Sequence, residues 1–210
     1  MKQGIGMDNG NAAPAAVEVD LDRATQLIGH GPVTLVTSAH QGRTNVMAAA
    51  WVMPYEFVPP RLALVLDKST FTRELVEASG EVGIQVPTHG MVNGVYTAGQ
   101  RSGRTEDKFS ACGFDTFAAR EIAVPMVSGC AAWLECRLIR DAVERFDLFL
   151  IEVVAAYADP AVYRDNRWIG QDDASRRTLH YVAGGQFFVT GEAVIAESAQ
   201  SPRNRGITGV

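Results

Sequence analysis

The 210-residue sequence predicts a mainly β domain, a closed or nearly closed antiparallel barrel with helices at its periphery. Three observations carry this expectation. Short β-rich runs dominate the chain, and helices of about ten residues cap them instead of alternating regularly. Two long β runs, Ala131–Ile139 and Leu148–Tyr157, each contain a glutamate, Glu135 and Glu152, which implies one wet face apiece.

Taken in order, Asp20–Ile28 fits a short helix with Leu21, Ala24, Leu27 and Ile28 on one side, closed by Gly29 and Gly31. Val33–Ser38 is a strand, and Gln41-Gly42 turns it into the next, Thr44–Val52. Pro54 and Pro59-Pro60 interrupt the pattern before Arg61–Leu66, an apolar strand expected to be buried on both faces. Thr70–Ser79 reads as a helix with Phe71, Leu75, Val76 and Ala78 inward and Gly80 as its stop. Val82–Val86 is a further strand, and residues 88–117 are rich in Gly, Ser and charge, with a helical piece over Met91–Tyr96. Gly184-Gly185 reads as a turn. One domain over residues 17–195 is expected, flanked by loose tails at 1–16 and 196–210, both rich in Gly, Asn, Ser or Pro.

Composition narrows the function classes. Hydrophobic residues make up 47% and charged residues 20%, as in a globular protein with a sizeable core, and the net charge is -5. An acidic chain offers no basic field for nucleic acid. No stretch approaches about twenty apolar residues, so no membrane span is expected. Cys112, Cys130 and Cys136 are odd in number and lack CxxC spacing, which argues for a reducing, cytoplasmic setting over a disulfide framework or zinc site. His30, His40, His89 and His180 show no metal spacing.

Two motifs point to a ligand. Asn45-Val46-Met47-Ala48-Ala49-Ala50-Trp51 is a strand almost bare along its middle, so a flat ring has access to its backbone, with Asn45 as a polar partner. The plainer reading is an alanine run in a tight core. Lys68-Ser69-Thr70-x-Thr72 sets three hydroxyls and a lysine at a helix start, where free N–H groups attract anions. Plain N-capping explains one hydroxyl and leaves the others over. A flat ring and a phosphate together describe a mononucleotide. A third stretch, Ser102-Gly103-Arg104 with Asp107-Lys108-Phe109, reads as a tight turn with positive charge and one hydrophobic anchor, or simply as a solvated loop.

In this order the pieces resemble the flavin reductase-like family of FMN-binding split barrels. The match runs from Gly31-Pro32-Val33-Thr34 through Asn45-Val46-Met47, Trp51, Pro59-Pro60, Lys68-Ser69-Thr70, Ser102-Gly103 and Leu134-Glu135-Cys136 to Gly184-Gly185-Gln186-Phe187. The Asn-x-Met…Trp form looks most like the flavoredoxin-like branch. The resemblance implies a six-stranded antiparallel split β-barrel, usually a homodimer, with FMN near the subunit interface. It places the flavin ring along Asn45, Val46, Met47, Ala48, Ala49, Ala50 and Trp51. It places the phosphate on Lys68, Ser69, Thr70 and Thr72, with Ser102, Gly103 and Lys108 assisting, and gives no residue an acid–base role.

The implied activity is oxidoreduction through bound FMN, with NAD(P)H or a redox protein as donor. The family's reductases usually carry Gly-Asp-His before the strand that here begins near Leu148; this chain has Glu144-Arg145-Phe146. A flavoredoxin-like carrier without NAD(P)H activity, or a non-enzymatic ligand-binding barrel, is the alternative.

Overall fold

The computed structural model describes residues 31–140, 146–164, 167–169 and 172–194. The helix expected over Asp20–Ile28 and both expected tails lie outside the described residues. In chain order the first strands are β1 (Thr34–His40), β2 (Arg43–Ala49), β3 (Val52–Glu56), β4 (Arg61–Val65) and β5 (Glu81–Val86). They are followed by β6 (Thr116–Ala118), β7 (Pro125–Val127), β8 (Ala132–Leu138), β9 (Leu148–Ala158), β10 (Tyr163–Arg164), β11 (Arg167–Trp168), β12 (Leu179–Ala183) and β13 (Gln186–Val189). Three α-helices, α1 (Phe71–Ser79), α2 (Val92–Gln100) and α3 (Lys108–Cys112), lie between β4 and β6.

Seven strands form the main sheet in the order β2-β1-β5-β8-β9-β4-β3, and the neighbours pair antiparallel. Laid flat, it would hold its edge strands roughly 29 Å apart at about 4.8 Å per strand. Yet β2 and β3, the two edges, are joined by Ala50 and Trp51 alone, a link that spans at most about 11 Å. The sheet therefore curls until its edges meet. This is the nearly closed antiparallel barrel that the sequence implies.

The six long strand runs of the sequence all recur. Thr44–Val52, expected as one strand, divides at Ala50-Trp51, so a single run supplies both edges. Pro54 does not interrupt it but sits inside β3 opposite Leu62, with a bulge before Glu56; an edge strand tolerates a residue without an N–H. The Gln41-Gly42 turn is confirmed by left-handed φ values of 48° and 76°.

Two clusters form the core. One fills the barrel with Val36, Leu64, Leu66, Val82, Ile84, Phe149 and Ile151, joined by Val76 of α1. The other lies outside it, where Leu35 and Val46 meet Val95, Ala98, Phe109 and Leu179. Adjacent residues Leu35 and Val36 thus belong to different clusters, as the alternation of a strand requires. Of Arg61–Leu66 only Leu64 and Leu66 are fully buried, so that strand is covered on both faces less completely than expected.

Thr70 caps α1, its hydroxyl accepting from Arg73 N–H at 3.3 Å, and Gly80 ends the helix at φ 77°. Ala78, expected inward, is exposed. Thr72 and Arg73 are buried in its stead, because each has a polar partner there. Arg73 donates to Leu66 O at 3.1 Å and to Asp147 at 3.0 Å, and lies over the Phe149 ring.

Glu135 corrects another expectation. It is fully buried, accepting from Arg120 N–H at 2.8 Å, Glu121 N–H at 2.6 Å and the Tyr157 hydroxyl at 2.9 Å. Glu152 does keep partial exposure and pairs with Arg61 at 3.0 Å. Near the chain's end, β12 and β13 form a hairpin through Gly184 and Gly185, both at positive φ. Val33 N–H donates to Leu179 O at 2.9 Å and ties the hairpin base to the barrel.

Candidate functional site

Met47, Ala48, Ala49, Ala50 and Trp51 all line one cavity of about 520 Å³. Side chains along a strand alternate between faces, so Met47, Ala48 and Ala49 of β2 on one cavity place it along the strand's edge, and the link residues Ala50 and Trp51 continue it. The sheet order agrees: β2 is an edge strand with β1 as its neighbour, and its other flank has no ladder partner among the described residues. The three alanines leave that backbone open to a flat group. Across the cavity stand Val95, Tyr96, Gly99 and Gln100 of α2, and Tyr181, Val182, Ala183 and Phe187 of the β12–β13 hairpin. Tyr181 and Phe187 pack edge to face at 5.2 Å. A Cβ on Gly185 would stand 3.2 Å from the Tyr96 ring, so the glycine tip of the hairpin presses on it.

A second cavity of about 260 Å³ shares Met47, Gly99 and Gln100 with the first, so the two adjoin. It is lined by Asn45, by Ser69, Thr70, Phe71 and Thr72 at the start of α1, and by Arg101, Ser102, Gly103 and Lys108. The first turn of a helix offers unpaired N–H groups and partial positive charge. Lys108 adds a buried ammonium, which donates to Ala98 O at 2.7 Å. Burial pushes its pKa below the usual lysine value. Arg101 is exposed and paired with Glu106 at 2.9 Å.

Not every hydroxyl in this cavity is available. The Ser69 hydroxyl donates to the Asp67 carboxylate and that of Thr70 to Asp67 O, so both build the entry to α1. The Ser69 hydroxyl and N–H hold the Asp67 carboxyl below its ordinary range. The guanidinium groups of Arg43 and Arg104 lie 4.3 and 5.3 Å from the centre of the Phe71 ring, and both arginines pair with Glu74. Arg104 first, and Arg43 after it, hold Glu74 low.

Asn45 sits where β2 meets α1. Its Nδ2 donates to Thr72 Oγ1 at 2.7 Å, while its Oδ1 is buried without a partner. A Cβ on Gly103 would collide with that oxygen. The glycine thus serves this close approach as well as the tight turn expected of it, which Thr105 N–H closes by donating to Ser102 O at 3.4 Å. Ser38 Oγ, directly across the β1–β2 ladder from Asn45, is likewise buried and unpartnered.

The fold brings most of the expected residues together. Met47, Ala48, Ala49, Ala50 and Trp51 line the larger cavity, and Asn45, Ser69, Thr70, Thr72, Ser102, Gly103 and Lys108 the smaller. Val46 is not among them, pointing into the outer core cluster. Lys68 is exposed and lines neither cavity. Sequence reasoning missed Tyr96, Gln100 and Tyr181, and gave Arg101 and Phe187 no place in the ligand site. One signal was present: a Gly-Gly turn flanked by aromatics at 181 and 187 describes a hairpin with a ring-lined face.

Among the described residues no group of three or more His, Cys, Asp or Glu is placed to hold a metal ion, and no helix is long and apolar enough to cross a membrane. Comparison with known proteins is specific. A model of the flavin reductase like domain matches residues 29–185. Protein YddH of Escherichia coli (strain K12) is 43% identical over 185 residues, which cover 86% of this chain and 97% of YddH. An FMN-binding domain of a flavin reductases-like enzyme from Shewanella baltica is 42% identical, with a TM-score of 0.76 over 85% of this chain and 96% of its own. Flavoredoxin of Desulfovibrio vulgaris (Miyazaki F) is 26% identical, with a TM-score of 0.71 over 81% of this chain and 93% of its own. The curled sheet, its joined edges and these matches lead to one conclusion: the chain belongs to the flavin reductase-like family, with that family's split-barrel fold.

Proposed function

We propose that the chain binds FMN across the two adjoining cavities and acts as a flavin-dependent oxidoreductase. It takes electrons from NAD(P)H or a reduced protein partner and passes them to a flavin or another acceptor. One observation carries this reading: an uncharged cavity along an open strand edge adjoins a smaller cavity lined by cations and a helix start. The orphaned Asn45 Oδ1 fits as well, since a ribityl hydroxyl would give that buried acceptor its missing donor.

Bound FMN supplies transfer of a hydride or of single electrons. The protein's residues bind and orient. The α1 N-terminus, Thr72, Ser102 and Lys108 hold the phosphate, and Asn45 fixes the ribityl chain. The open edge at Ala48–Ala50 offers N–H and C=O groups to the polar rim of the ring, while Tyr96, Tyr181 and Phe187 keep water from it.

The same reading includes a homodimer and a cytoplasmic setting. Trp51, Met53, Tyr55 and Phe57 recur at every second position and are 57%, 60%, 41% and 90% exposed. Together they make an exposed apolar run along β3 and its flanks, and it starts at the cavity wall. A second copy seated there would bring the flavin site to the subunit interface.

A second reading has specific support. Glu144-Arg145-Phe146 stands where reductases of this family usually carry Gly-Asp-His, which favours a flavoredoxin-like carrier without its own NAD(P)H activity. Anaerobic reduction separates the two. Purified protein should show a flavin spectrum that NADH or NADPH bleaches; a spectrum left oxidised by both supports the carrier. Protein that takes up no FMN contradicts both.

A further inference from the structure

We infer that Ser38 is a positioning residue for the ligand: in the bound state its hydroxyl donates to Asn45 Oδ1 and holds that oxygen toward the ribityl chain. The inference rests on the FMN reading above and adds to it a residue that lines neither of the two cavities.

Two unmet needs coincide here. Among the described residues, Ser38 Oγ and Asn45 Oδ1 are the two buried side-chain polar atoms without a hydrogen-bond partner. Such atoms are scarce in folded proteins, because each has given up its bonds to water for nothing. These two stand on directly opposed residues of β1 and β2, so both side chains rise from the same face of the sheet. One is a hydroxyl that can donate. The other is a carboxamide oxygen that can only accept, and it has two lone pairs. Opposed Cβ atoms lie about 4.5–5.5 Å apart, so turning the Ser38 hydroxyl to another staggered position brings it within reach of the oxygen.

The surrounding groups leave this role to Ser38. Thr72 Oγ1 already holds the Asn45 amide nitrogen at 2.7 Å. Thr37 Oγ1 accepts from Gln85 on the opposite face of β1. Gly103 lies so close to Oδ1 that a side chain there would collide with it. The carboxamide is therefore bonded at its nitrogen and unbonded at its oxygen. A ligand hydroxyl on one lone pair and Ser38 on the other satisfy both idle atoms at once. In the free protein the Ser38 hydroxyl contributes no bond to the fold, so its benefit falls on the bound state.

The test pairs FMN titration, followed by flavin fluorescence, with thermal melts of the cofactor-free protein. Ser38→Ala should melt no lower than the native protein, since no bond is lost, while its FMN dissociation constant rises at least about fivefold. With Asn45→Ala already in place, removing the Ser38 hydroxyl should change FMN affinity less than about twofold. Ser38→Cys, close in size and a poor donor, should behave as Ser38→Ala and covers the case in which the alanine variant fails to fold. Unchanged FMN affinity in both Ser38 variants, a melting temperature lowered in both, or an equal loss of affinity with and without Asn45 overturns the inference and leaves the FMN reading standing. Native protein that binds no FMN overturns both, and the native titration tells the two failures apart.

Discussion

The carboxamide oxygen of Asn45 lies in the space that a Cβ on residue 103 would need, so Gly103 and Asn45 lock the loop after α2 onto β2. This contact forms the inner wall of the smaller cavity. Gly103→Ala should therefore act on both stability and binding. The methyl group must displace a buried carboxamide and comes within 3.2 Å of Phe71, so a loss of about 1–3 kcal/mol is expected. FMN affinity should fall at least about tenfold with it. Thermal melts and FMN titration of the variant check this; unchanged values for both would contradict the packing described.

Among the described residues Thr72 alone accepts from the Asn45 amide, so its hydroxyl matters more than its place in the first turn of α1 implies. Thr72→Val keeps the shape and strands a buried donor, at a cost of about 1–3 kcal/mol. Lys68→Ala should change neither melting temperature nor FMN affinity measurably, since the side chain is exposed and lines neither cavity. Reversal of that order would move the anion site to the rim of the loop.

Lys108 gives FMN binding an alkaline limit. Burial lowers its folded pKa, so over the interval up to the ordinary lysine value the unfolded chain holds the proton and the folded chain does not. Stability of the protein without cofactor should rise with pH through that interval. Phosphate binding needs the charged form, so FMN affinity should be full below the folded pKa and fall as pH rises through it. FMN dissociation constants measured across the alkaline range should show this loss in the native protein and not in Lys108→Met.

Glu135 sets an acid limit of a different kind. Burial pushes its pKa up, but the N–H groups of Arg120 and Glu121 and the Tyr157 hydroxyl together hold it below the ordinary value. With the folded pKa depressed, its stabilisation is complete above the unfolded carboxylate range and lost as pH falls through the folded pKa. Denaturant unfolding at successive acid pH values should show this decline. Glu135→Ala should be less stable near neutrality by about 1–3 kcal/mol, from the N–H groups left unpaired, and its acid limb should be shallower.

The β3 stripe predicts the assembly. Phe57→Glu combined with Tyr55→Glu places two charges on the exposed apolar run, which should convert a dimer into monomers by light scattering and loosen FMN. Native protein that elutes as a monomer would remove the interface at β3.

Much of this was legible in the sequence for local reasons. The hairpin turn at Gln41-Gly42, the helix between Thr70 and Gly80 and the six strand runs follow from turn chemistry, capping and periodicity, and periodicity with family order led to the barrel. The break at Ala50-Trp51 was not legible, because a strand leaving one sheet edge for the other keeps its residue pattern. Glu135 looked like a marker of a wet face, since the donors that satisfy it lie 14 and more residues away. Lys108 is buried for a similar reason, its acceptor being a carbonyl on α2. Tyr181 and Phe187 reach the cavity on a hairpin that is tied down by Leu179 to Val33 and by Thr178 to Thr88, contacts across the whole domain.

The central claim is that one ligand spans both cavities, ring along the β2 edge and phosphate at α1. Parallel titrations of the cofactor-free protein with FMN and with riboflavin, followed by quenching of flavin fluorescence, test it most directly. The account expects saturable binding of one FMN per chain, with riboflavin at least about tenfold weaker for want of the phosphate. Riboflavin bound as tightly as FMN, or no binding of either, would contradict it.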